Sequence, residues 1–243
     1  MGISVALHPL RRADGSAVFT DGLYTVIAGI NGPVEVQRRD EIPDEAAIEL
    51  NLRPAAGVGG PRERWLEEIV HAVIKNVLLV HLHPRTLVQI TLQIAKEPQV
   101  KARQTVADIA IIPTLVNSAF IALIDSGLPL ATTMSAVLAI LRNNGEVVYS
   151  PQEKDLLDCK SIHALAFNQD GEQLLEQSSG EFDLDLWEKV VDGAQSACLA
   201  AAGSAEEDTD MLDHAGAQSV RQAWLRQALE DRAKVVNAWR SHP

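Results

Sequence analysis

The chain has 243 residues, 47% of them hydrophobic, enough to bury a core in one large or two small domains, which excludes a disordered chain. Thirty-three acidic against 21 basic residues leave a net charge of −12, the wrong sign for holding nucleic acid by bulk electrostatics. Two cysteines, Cys159 and Cys198, are too few for a disulfide framework or a zinc knuckle, and a reducing compartment suits them best.

Met1 to Leu10 lacks the basic start and continuous apolar run of a secretory signal. From Ser16 to Val36, short apolar runs are punctuated by Asp14-Gly15, Asp21-Gly22 and Asn31-Gly32-Pro33, which predicts consecutive antiparallel strands joined by turns. Residues 46–53 alternate, with Ile48, Leu50 and Leu52 opposed to Glu49, Asn51 and Arg53, as in a half-buried strand. Pro61 suits a first helical position, and Trp65, Leu66, Ile69, Val70, Val73, Ile74, Val77 and Leu78 then recur at helical spacing.

Thr86 to Ala95 alternates again as a strand, and polar, basic Lys96 to Val106 is expected to be a loop. The longest apolar stretch, Ile109 to Ile124, is interrupted by Pro113, Thr114, Asn117 and Ser118 and falls short of the roughly 20 residues of a membrane span. Residues 113–125 are apolar nearly all round, which predicts a helix between two layers, stopped by Gly127-Leu128-Pro129. Four more strands are expected at Met134–Leu141, Glu146–Tyr149, Ser161–Asn168 and Gln173–Gln177. Asp183 opens a helix with a stripe of Leu186, Trp187, Val190, Val191, Ala194 and Cys198. The order predicts a mixed α+β domain with some βαβ character over residues 1–203.

The acidic run Ser204 to Asp210 predicts a linker, placed at 204–213, followed by a helical extension at 214–243. In that extension Val220, Trp224, Leu225, Ala228, Leu229, Val235, Val236 and Trp239 share one side, opposite Arg221, Arg226, Glu230, Asp231 and Lys234. One amphipathic helix cannot hide two tryptophans unaided, so it is expected to dock on the main domain or on a partner.

Motifs that carry chemistry are sparse. Gly57-Val58-Gly59-Gly60 lacks the third glycine and the Lys-Ser/Thr pair of phosphate loops and reads as a strand-to-helix connection. His81 and His83 would share one strand face but have no third ligand nearby for a metal. Glu181, Asp183 and Asp185 resemble a magnesium cluster, yet at a helix start they are better explained by exposed N–H groups and the helix dipole. Neither cysteine has a local histidine arrangement that suggests a nucleophile, and no Gly-x-Ser-x-Gly or His-Glu-x-x-His signature is present. Arg38, Arg39, Arg53, Arg62, Arg64 and Arg85, then Lys101 and Arg103, are positioned either to meet RNA phosphates or to be solvated surface charge.

Four stretches carry a resemblance: Arg12-Ala13-Asp14-Gly15-Ser16-Ala17; Val26 to Val36; His83-Pro84-Arg85-Thr86 leading into Gln89 to Ile94; and Asn117 to Leu130. In that order the chain resembles the ribonuclease PH family, and within it the RNase PH-like ring subunits of the eukaryotic RNA exosome. The resemblance implies the ribonuclease PH-like fold, of the ribosomal S5 domain 2-like type, with mixed sheets, packed helices and, here, a C-terminal amphipathic helix. Active members hold inorganic phosphate on a Gly-Thr-Arg element following an aspartate. The likeness places Asp108 at the aspartate and Ala110-Ile111-Ile112 where Gly-Thr-Arg would stand. It places Ile162, between Ser161 and His163, where active members carry an acidic aspartate or metal ligand.

The resemblance therefore implies a non-catalytic ring subunit, with no cofactor, no metal site and no catalytic residue. Its implied partners are other RNase PH-like ring subunits, S1/KH cap subunits, an associated 3′→5′ nuclease and single-stranded RNA, with no membrane. Arg62 and Arg64 correspond to RNA-contacting arginines of the ring's channel, and the implied locations are nucleus, nucleolus and cytoplasm. Two alternatives stand beside it. One is an active phosphorolytic or hydrolytic 3′→5′ exoribonuclease using His163, Asp158 or Asp108, and the other is a stand-alone α+β metabolic enzyme.

Overall fold

The computed structural model describes residues 3–100, 102–149, 151–202 and 224–240. The expected linker at 204–213, the start of the extension up to 223, and Lys101 lie outside the described residues.

Alternating apolar residues build a five-stranded sheet from β1 (Ser4–Leu7), β2 (Gly15–Thr20), β3 (Thr25–Glu35), β4 (Ala47–Arg53) and β5 (Thr86–Lys96), in the order β1-β2-β3-β5-β4. β4 runs parallel to β5 because α1 (Pro61–Val77) crosses between them, the expected βαβ element. Val5 and Leu7 alternate in β1, a strand too short for the sequence to announce. β2 and β3 turn at Asp21, whose Oδ1 accepts the N–H groups of Leu23 and Tyr24 at 2.8 Å each.

Asn31-Gly32-Pro33 is not a turn between strands. It is a bulge inside β3, where the pairing to β5 shifts between Asn31 and Val34, and the Gly32-Pro33 bond is cis. Gly32 has φ +146°, and a Cβ there would stand 2.8 Å from the Leu87 carbonyl oxygen, so only glycine fits this approach.

Residues 104–126 are helical almost throughout, as α2 (Gln104–Ala110) and α3 (Ile112–Ser126). The expected loop therefore ends at Arg103, because Val106, Ile109 and Ala110 already form a buried helical stripe. Length and apolarity alone would let this stretch cross a membrane, but 83% of its most apolar window is buried inside the fold. Every residue of α3 from Ile112 to Leu123 is buried, and the helix packs on β2 and β3 on one side and on β6 and β8 on the other. Gly15 lets β2 approach this helix, since a Cβ there would meet the Ala122 oxygen at 2.4 Å.

The second sheet has the order β7-β6-β8-β9, from β6 (Met134–Arg142), β7 (Val147–Val148), β8 (Cys159–Asn168) and β9 (Gln173–Gly180). Its outer face carries α4 (Leu184–Ala202), which buries Val190, Ala194 and Cys198 against Val137, Ala139, Leu165 and Phe167. The fold is thus sheet, helix, sheet, helix, a mixed α+β arrangement with α3 at its centre.

The C-terminal helix, α5 (Trp224–Val236), packs on β1 and α4. Leu225 is buried, and the Trp224 ring lies 5.0 Å from that of Phe19. The expected stripe holds only for its first half. Val235, Val236 and Trp239 are exposed, Trp239 at 70%, and Arg232 takes the inward position because the helix reaches a buried carboxylate there.

Candidate functional site

The segment that the resemblance sets at the phosphate seat, residues 110–112, lies at the junction of α2 and α3. Ala110, Ile111 and Ile112 are each 0% exposed and belong to the main core. Their carbon side chains offer an anion no donor, and two helices that meet at the buried Ile111 occupy the region where an open loop would present N–H groups.

One turn earlier, Asp108 bonds to Arg62 and Gln104, two of the residues that, with Tyr24, Glu97 and Leu156 among others, line a cleft of about 330 Å³. Arg62 is carried there by the first turn of α1, which starts cleanly because Gly60 N–H donates to Glu63 Oε2 at 2.6 Å. Arg62 Nε donates to Asp108 Oδ1 at 2.5 Å, and Gln104 Nε2 donates to the same oxygen at 2.8 Å. Arg62 Nη1 also stands 3.7 Å from Glu97 and 3.9 Å from Glu63.

Burial works against the Arg62 charge, but the Asp108 hydrogen bond and the charges of Asp108 and Glu97 prevail and raise its pKa above the ordinary value. Burial likewise pushes the Tyr24 phenol well up, and its hydroxyl donates to the Ala107 carbonyl at 3.2 Å. One guanidinium bracketed by three carboxylates is a net-negative cleft, which repels phosphate rather than gathering it.

Arg64 lies two residues on, about 200° around the helix, and does not share this cleft. It is exposed beside a groove between β4 and α1 with Ile48, Leu50, Glu67 and His71. The two arginines singled out from the sequence therefore diverge, one ion-paired and one open to solvent.

Pleating separates Ile162 from His163. Ile162 is buried in the main core with Ile109 and Ala110, and carries neither acid nor metal-ligand chemistry. His163 points to the α4 side, 0% exposed, its ring 4.7 Å from Phe182 and 5.3 Å from Trp187. Its Nε2 meets Ser161 Oγ and its Nδ1 meets Ser178 Oγ, each at 2.9 Å, and burial lowers its pKa from 6.5 to about 4. The imidazole is neutral near pH 7 and lies across the sheet from the Asp108 cleft. Asp158 is exposed and bonded to Asn143.

His81 and His83 do not share a strand face, because Val80–Leu82 forms a single 3-10 turn. The main-chain carbonyl of Asp183 accepts the Trp187 N–H at 2.9 Å as α4 begins, and Glu181, Asp183 and Asp185 are all exposed. Among the described residues no three His, Cys, Asp or Glu side chains converge in a metal-binding group. Tyr24, Glu97 and Gln104 escaped the sequence reading, since each is a lone polar residue at an element end, joined to the others only by the fold.

The residues that carried the resemblance hold the framework. Asp14 Oδ2 accepts the Gly32 N–H at 2.8 Å, Thr86 Oγ1 donates to the His83 carbonyl at 2.7 Å, and Asn117 pairs with both backbone groups of Ala136 at 2.9 Å.

Residues 2–129 match the model of the 3′ exoribonuclease family, domain 1. The exosome complex component RRP46 of Saccharomyces cerevisiae is 30% identical over 205 residues, covering 82% of this chain and 91% of that protein. The crystal structure of rice (Oryza sativa) Rrp46 superposes with a TM-score of 0.68 at 24% identity, over 80% of this chain and 89% of that one. An Archaeoglobus fulgidus exosome with RNA bound to the active site gives 0.62 at 16% identity, over 80% and 84%. The framework and the matched sequence together make this chain a member of the RNase PH family of 3′ exoribonuclease domains.

Proposed function

We propose that this chain is a non-catalytic RNase PH-like subunit of an RNA exosome core ring, which supports ring assembly and guides single-stranded RNA toward a separate 3′→5′ nuclease. The observation that carries the proposal is the burial of Ala110, Ile111 and Ile112 in the core, the positions that the resemblance assigns to the phosphate-holding element of active members. Without an anion site there is no attacking phosphate, and without an acid at Ile162 there is no proton for the leaving oxygen.

The kinship with exosome components supports a place among other RNase PH-like ring subunits, under S1/KH cap subunits, in nucleus, nucleolus and cytoplasm. Arg64, exposed near the start of α1, is the stronger RNA contact of the two arginines. Arg62 meets RNA only to the extent that its charge is not taken by Asp108 and Glu97. The acidic remainder of the surface keeps RNA from sticking elsewhere.

The test is an end-labelled single-stranded RNA incubated with the purified chain and with the assembled ring lacking its separate nuclease, with and without inorganic phosphate. No nucleoside diphosphate should appear in either case. Phosphate-dependent release of nucleoside diphosphates from the 3′ end by the chain would overturn the proposal in favour of an active exoribonuclease.

A further inference from the structure

α5 brings Trp224, Leu225, Ala228, Leu229 and Arg232 to one side, the spacing of a helix that lies along a surface. Below it, Val5 and Leu7 of edge strand β1 and Phe19 of β2 supply the apolar floor. The polar end of this contact is unusual. Asp125, near the end of α3, is 0% exposed. Its Oδ2 accepts the Ser16 N–H at 2.9 Å and lies 2.9 Å from His8 Nδ1, with His8 held at φ +57°. Its Oδ1, buried and without a hydrogen-bond partner, stands 2.7 Å from Arg232 Nε, an ion-pair contact.

A carboxylate removed from water needs a lasting counter-charge. His8 supplies one only when protonated, whereas a guanidinium is charged at all relevant pH. The main body therefore presents a socket with two sides built, by Ser16 and His8, and one side completed from the C-terminal segment.

We propose that Asp125, His8 and Ser16 form a guanidinium-binding socket whose occupant is Arg232 of the same chain, so that α5 is a built-in helical ligand covering β1 and β2. The occupant is specified by charge complementarity at Asp125 together with the apolar pair Trp224 and Leu225. The consequence is that α5 continues the helix layer begun by α3 outward over the edge of the first sheet. The C-terminal helix is thus part of the subunit's own body, and its exposed outer turn is presented to the surroundings in a fixed direction.

Amide hydrogen exchange on the full chain tests this without reference to RNA or to the ring. In the wild type, the α5 amides should be protected independently of protein concentration. Arg232→Met should lower that protection roughly a hundredfold, the effect of orphaning a buried charge, while strands β3 and β5 change little. Asp125→Asn removes the charge instead of orphaning it, so the body stays folded while α5 again loses protection. The double variant should be no worse than either single one. Unchanged α5 exchange in Arg232→Met, strictly additive losses, or protection that rises with protein concentration would each overturn the proposal, the last by showing a second copy's helix in the socket.

Discussion

Placing at position 112 the arginine that the resemblance would assign there tests the proposed filling of the phosphate seat by the core. Ile112 is fully buried and surrounded by the main core cluster. Ile112→Arg places a guanidinium there with no acid in the surrounding apolar cluster, a burden of several kcal/mol for an unpaired buried ion. The longer side chain adds about 1–3 kcal/mol of overpacking. The sum is at least about 5 kcal/mol, comparable with the roughly 5–15 kcal/mol of a whole domain. For a domain of this size, that corresponds to a fall in Tm of roughly 10–20 °C, or to loss of soluble protein. Thermal and denaturant unfolding measure it, with Ile112→Val as the control at about 0.5–1.5 kcal/mol. An Ile112→Arg protein that unfolds within a few degrees of the wild type and is stabilised by phosphate would refute the reasoning, since the seat would then be open after all.

Other perturbations probe separate parts of the molecule. Arg64→Glu should weaken RNA retention by the assembled ring and reduce the salt slope by about one, and Arg62→Glu should do less to RNA because its charge is already paired; equal effects in a filter-binding titration would reverse that ranking. His163 is neutral in the fold and titrates near 4 rather than 6.5, so the unfolded chain binds the extra proton between those values. Stability is therefore fully present above pH 6.5 and lost as pH falls toward 4, and His163→Gln should flatten that decline in urea unfolding followed across pH. Asn117→Ala strips partners from the N–H and C=O of Ala136 in the core, and denaturant unfolding should register a loss of about 2–6 kcal/mol.

Much of the framework was legible because it is written in local periodicity. The stripe of α1, the alternation of β4 and β5, and the all-round apolarity of α3 each reflect burial that repeats within a few residues. The misreadings occurred where that periodicity is short or broken. β1 has too few residues to alternate visibly, and α2 follows a basic stretch that masks its first turn. Asn31-Gly32-Pro33 has turn chemistry but is paired across a bulge, because β5 on the far side holds the strand in line.

The sequence by itself determined the α+β layering, the family likeness and the aliphatic character of residues 110–112, since side-chain chemistry and periodicity are local properties. Only the tertiary structure decided that Arg62 is bound to Asp108 while Arg64 is open, that His163 lies on the wrong face of its sheet, and that Arg232 meets Asp125. Each of these depends on charges or faces brought together from distant segments, where burial and a few ångströms set the electrostatics and no spacing along the chain records it.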